Sequence, residues 1–91
     1  MRKEVHFKHR DRFIQIGITI ATVRKLRGMS QEQLAEKAGI SRTFLSVIET
    51  PSIAAGFSLE VLYNIADALQ VSPADLLNAS MLPASILNPK E

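Results

Sequence analysis

The sequence predicts an all-α fold, a small bundle of five helices, and three observations lead to it. Four serines each stand where a helix should begin, with an apolar residue just before and another four positions after. A longer stretch with apolar residues at helical spacing precedes them and ends at a glycine. No Asn-Gly or Asp-Gly hairpin dipeptide and no sustained alternation of period two argues for a sheet.

The first helix is expected from about Arg12 to Arg27, ended by Gly28. Phe13, Ile16, Ile20 and Val23 share one face, while Ile14 and Ile18 form a second, smaller apolar stripe. The next four helices begin at Ser30, Ser41, Ser58 and Ser72. A serine hydroxyl at such a position accepts a bond from an otherwise unpaired first-turn N–H, a cap worth about 1 kcal/mol. The flanking pairs are Met29 with Leu34, Ile40 with Leu45, Phe57 with Leu62, and Val71 with Leu76. Their spacing is that of a hydrophobic staple, which sets the angle at which the chain enters a helix. Ser30 also has Gln33 three residues on, forming a capping box, and Ser72 is followed by Pro73, favoured at a first helical position. The expected organisation is therefore a basic N-terminal arm over residues 1–11, a helical domain over 12–78, and a tail over 79–91. Pro83 and Pro89 keep that tail from being a regular helix, yet Met81, Leu82, Ile86 and Leu87 make it apolar enough for packing or a dimer contact.

Composition narrows the function classes. A chain of 91 residues, 46% of them hydrophobic, has room for one domain with one modest core. Without cysteine there is no disulfide framework and no thiolate metal site, which suits a reducing compartment. The two histidines, His6 and His9, have a spacing that suits one helix face, but no third ligand accompanies them, and they read as residues of a solvated arm. The run from Phe13 to Val23 follows a basic start as a secretory signal would, but Gln15, Thr19 and Thr22 interrupt it. It then passes into Arg24, Lys25 and Arg27 in place of a small-residue cleavage site. It is also too short and too polar to span a bilayer. A cytoplasmic protein is expected. The net charge of +2 conceals an asymmetry: residues 1–27 carry eight basic against two acidic side chains, and residues 28–91 carry three against seven. A basic N-terminal third suits a polyanion partner, and it equally suits a solvated tail.

The middle of the chain is more specific. The helices expected over Gln31–Ala38 and Arg42–Glu49 are joined only by Gly39, Ile40 and Ser41, so the second must cross the first steeply. Gly39 supplies the left-handed backbone that ends a helix, Ala35 is small where the two approach, and Ile40 fills the corner. A short helix, a turn containing glycine and a second short helix make a helix-turn-helix. On the second helix Phe44, Leu45 and Ile48 fall on one side, and Arg42, Thr43, Ser46 and Val47 on the other. A helix fits the major groove of B-DNA with its N-terminal half against base edges. Arg42 has the donors for guanine O6 and N7, Thr43 and Ser46 those for bases or phosphates, and Val47 suits a thymine methyl. Gln31, opening the first helix of the pair, combines a side-chain amide with free backbone N–H groups, a suitable phosphate clamp. A plain solvated helix face is the alternative for these outer residues.

The segment Val23-Arg24-Lys25-Leu26-Arg27-Gly28-Met29-Ser30-Gln31-Glu32-Gln33-Leu34-Ala35, continued through Glu49 and again over Leu59–Ser72, resembles the XRE-type regulators, the phage repressor and Cro-like family. The resemblance covers about Ile16–Leu77. It implies a five-helix repressor-like bundle whose third helix enters the major groove, acting as a homodimer on a palindromic operator. It implies a phosphate contact at Gln31 and DNA contacts at Arg42, Thr43, Ser46 and Val47, with Ser41 heading the same helix. It also implies an ion pair between Arg24 and Glu49, joining the first and third helices. The chain departs from the family over Thr50–Phe57, where relatives often carry Lys or Arg facing phosphate and this segment carries no charge. Backbone N–H groups, Thr50, Ser52 or the basic residues of 2–12 would have to take over those contacts.

A sequence-specific regulator that binds double-stranded DNA is therefore the first expectation. A protein-interaction module, such as an antitoxin holding a toxin partner against the apolar tail or the stripe of Ile14 and Ile18, is the second. No serine or cysteine nucleophile has a plausible histidine partner and no Gly-rich phosphate loop is present, so neither an enzyme nor a cofactor is expected.

Overall fold

The computed structural model describes residues 8–78; the first seven residues of the expected arm and the whole expected tail, 79–91, lie outside the described residues. Among the described residues five whole helices follow in order: α1 (Arg10–Leu26), α2 (Gln31–Ala38), α3 (Arg42–Glu49), α4 (Leu59–Leu69) and α5 (Pro73–Leu77). No strand occurs among the described residues. No helix among them is long and apolar enough to cross a membrane, and they contain no cluster of three or more side chains able to hold a metal ion. The helix α1 starts two residues earlier than its apolar stripe suggests. The N–H groups of Arg12 and Phe13 both close onto the His9 carbonyl, and Asp11 lies in the first turn, where the helix dipole favours a negative charge. Arg10 and Asp11 thus stand in the first turn of α1.

All four serines cap as their positions require. Each hydroxyl accepts from the backbone N–H three residues on: Gln33 at 3.0 Å, Phe44 at 2.9 Å, Val61 at 3.2 Å and Asp75 at 3.3 Å. Ser30 N–H returns a bond to Gln33 Oε1 at 2.9 Å, completing the capping box. Ser72 and Asp75 form a second box, with the Ser72 N–H donating to Asp75 Oδ2 at 3.2 Å. Three helices end alike, each with a left-handed residue just past the last turn: Gly28, Gly39 and Gln70. In each case the following N–H reaches back five residues, Met29 to Arg24, Ile40 to Ala35 and Val71 to Ala66, which satisfies carbonyls the helix cannot pair itself.

The staple residues Leu34, Leu45, Leu62 and Leu76 are buried at the centre of the core, with Met29, Ile40, Phe57 and Val71 packed half-buried against it. Ile16, Ile20 and Val23 come from α1, and Ile65, Ala66 and Leu69 complete the cluster from α4. Burying one large aliphatic side chain contributes about 1.5–3 kcal/mol, so this cluster is the main source of stability. Phe13 meets Phe57 edge to face, ring centres 5.4 Å apart, which ties the start of α1 to the approach to α4. Thr19 is wholly buried, but its hydroxyl donates to the Gln15 carbonyl at 2.9 Å, so no polar group is stranded. The helix α2 lies chiefly against α4, and α3 rests on α1 and α2.

Candidate nucleic-acid interface

The helix-turn-helix expected at Gln31–Glu49 is formed by α2, the Gly39 turn and α3. The turn depends on Gly39, at φ 72°, and on Ala38, Ala35 and Leu34, which are buried beneath it. Leu45 and Ile48 drive α3 onto the core, being 0% and 2% exposed. The opposite side emerges into solvent: Arg42 and Thr43 are exposed, and Ser46 and Val47 are half-buried. Among the described residues, the side chains of Arg42, Thr43 and Ser46 make no hydrogen bond or ion pair within the protein. Their donors are unused. Ser41 differs, because its oxygen accepts the capping bond from Phe44, which leaves its hydroxyl proton as a donor.

A buried polar clamp fixes α3 from behind. Arg24 Nε donates to Glu49 Oε2 at 2.9 Å and Arg24 Nη2 to Glu49 Oε1 at 3.0 Å, so the ion pair implied by the resemblance is present and bidentate. Both residues are 8% exposed. Arg24 Nη1 donates further to the Met29 carbonyl at 2.7 Å, and Gln31 Nε2 donates to Glu49 Oε1 at 2.9 Å. One carboxylate at the end of α3 therefore gathers α1 and the first residue of α2, and Arg24 extends the clamp to Met29. Gln31 is consequently less free than the sequence suggests: one amide N–H is committed to Glu49. The second amide N–H and the backbone N–H groups of Gln31 and Glu32 remain, since those of Gln33 and Leu34 are taken by Ser30.

A feature that sequence reasoning missed lies on α1. A Cβ at Gly17 would fall far inside contact with the Ile48 carbonyl oxygen, and 3.1 Å from its carbon. Thus α1 and α3 cross backbone on backbone, with no side chain between them. The signal was available, since glycine in mid-helix costs about 1 kcal/mol against alanine and needs a packing reason. Between α1 and the end of α3 runs an open groove of about 380 Å³, to which Ser46, Thr50 and Gln31 contribute. In the uncharged segment after α3, the Thr50 hydroxyl donates to the Ser46 carbonyl at 2.7 Å and so is not a free donor. Ile53, in the same segment, is exposed.

Comparison with known proteins agrees with this geometry. A helix-turn-helix family model matches residues 20–76. The chain is 40% identical over 63 residues to the HTH-type transcriptional regulator SinR of Bacillus licheniformis, a match covering 69% of this chain and 56% of that relative. The chain thus spans little more than half the length of the curated relative it matches. Its fold resembles the crystal structure of the restriction-modification controller protein C.AhdI from Aeromonas hydrophila, with a TM-score of 0.66 and 28% identity, covering 70% of this chain and 94% of that one. The chain belongs to the XRE-type helix-turn-helix family of DNA-binding regulators.

Proposed function

We propose that this chain is a sequence-specific transcriptional regulator of the cytoplasm, binding duplex DNA as a homodimer on a palindromic operator with α3 in the major groove. The observation that carries the reading is the outer row of α3: three hydrogen-bonding side chains without internal partners, on a helix whose other face is locked into the core. Arg42 reads a guanine through O6 and N7, a contact that discriminates by about 1–3 kcal/mol. Thr43 and Ser46 donate to bases or phosphates, Val47 packs on a thymine methyl, and Ser41 donates to the backbone at the head of the helix. Gln31 holds a phosphate through its second amide N–H and the positive end of α2. Two such units about 34 Å apart meet successive turns of one duplex face. The relatives support a regulatory role, being named a transcriptional regulator and a controller protein.

Selection of bound duplexes from a random pool at fixed salt tests this directly, returning half-site, spacing and symmetry together. Arg42→Ala should relax preference at one base pair per half-site, whereas Gln31→Ala should weaken all duplexes alike. A pool with no enriched duplex rejects the regulator, and an enriched site without dyad symmetry rejects the homodimer.

A further inference from the structure

The groove between α1 and α3 is only partly explained by the outer row of α3. Its α1 wall includes Ile18, Thr22 and Lys25, and Ser46, Thr50 and Gln31 contribute the facing side. The Arg24–Glu49 pair also lines it, and that pair is internally neutral. Glu49 accepts at both oxygens, Oε2 from Arg24 and Oε1 from Arg24 and Gln31, and its charge is offset by the Arg24 guanidinium. Lys25 therefore sets the sign of the groove. Its side chain is exposed, and among the described residues it has no hydrogen bond or ion pair. Gln31 is held by Glu49 with one amide N–H still open, so an ammonium and an oriented amide donor belong to one concavity. That combination suits a compact anion with several oxygens. Ser46 belongs both to this groove and to the base-reading row, so the groove runs alongside the helix proposed to enter the DNA. With α3 in the major groove as proposed, a strand bounding that groove would pass on that side.

We propose that Lys25 and Gln31 together hold one backbone phosphate of the bound duplex in this groove. The contact comes from α1 and takes the place of the basic residue missing from the uncharged segment over residues 50–57. The inference rests on the DNA-binding reading above, and one set of measurements separates the two.

The affinity of the full chain for its selected duplex is measured from low to high salt, for the unaltered protein, Lys25→Gln, Lys25→Arg, Gln31→Ala and Lys37→Gln. Lys37 is an exposed lysine on α2 away from the groove and serves as a control for bulk charge. Lys25→Gln should flatten the slope of log K against log salt by about 0.9 per protomer, the value for one lost phosphate contact, without changing base preference. Lys25→Arg should restore the slope. Gln31→Ala should weaken binding while leaving the slope in place, since it removes a neutral donor. Unchanged melting of Lys25→Gln separates lost contact from lost fold. An unaltered slope for Lys25→Gln, or equal flattening by Lys37→Gln, overturns the phosphate contact while leaving the regulator intact. Failure of every duplex to bind overturns both.

Discussion

Glu49 is buried at a point where three donor groups converge, two from Arg24 and one from Gln31, and this makes Arg24 the side chain on which the interface most depends. Arg24→Ala would leave a buried carboxylate with a single neutral partner, and breaking such a pair costs about 3–5 kcal/mol. Urea denaturation should show a loss in that range, and the Arg24→Ala, Glu49→Ala double variant should recover part of it. A loss no larger than that of an ordinary surface substitution would deny the pair its structural weight. Gln70 is the opposite case. It holds φ 61° at the end of α4, while Arg27 Nε donates to the neighbouring Leu69 carbonyl at 2.8 Å. A left-handed residue with a Cβ costs about 1–2 kcal/mol, and glycine's greater freedom in the unfolded chain returns only part of that. Gln70→Gly should therefore stabilise by about 0.5–1 kcal/mol in thermal unfolding. The ends at Gly28 and Gly39 could be read from the residues themselves. The end at Gln70 could not, because that residue type does not favour a left-handed backbone; there the Val71 N–H closes onto the Ala66 carbonyl, and Arg27, just past α1, onto that of Leu69.

Helix starts were legible because a cap is a local bargain between one hydroxyl and an N–H three residues away, and the staple adds a neighbour on either side. All four serines followed that rule. What holds α3 was less legible, since a helix of eight residues is not stable alone and takes its position from its neighbours. Gly17 is the decisive neighbour, and its partner at Ile48 is far along the chain, where no local pattern links them. Gly17→Ala should force α1 and α3 apart and cost about 1–3 kcal/mol by overpacking, despite alanine's better helix propensity. Thermal unfolding reads the stability, and a parallel titration with the selected duplex should show affinity falling beyond what the unfolded fraction explains. A variant as stable as the parent would mean that the crossing relaxes easily. The row of Arg42, Thr43, Ser46 and Val47 was readable from helical angles alone, but its freedom from internal partners became evident only in three dimensions.

At the scale of the molecule, charge and fold are divided between different regions. The basic side chains gather in the first third of the chain, while the five helices bury a single cluster shared by all of them. The expected contribution of the arm to DNA affinity is best tested by removing residues 1–7 only, because Arg10 and Asp11 form the first turn of α1. That truncation should weaken binding and flatten its salt dependence while leaving thermal unfolding unchanged; an unaltered slope rejects a role for the arm. The direct meeting of α1 and α3 backbones has a mechanical consequence. With no side chain at Gly17 to act as a cushion and a buried ion pair alongside, α3 is held from swivelling against the body that carries it. On the proposed two-fold operator, misfit between half-sites would find little give inside a protomer, so operators with an easily deformed centre should be preferred even at base pairs that no side chain touches.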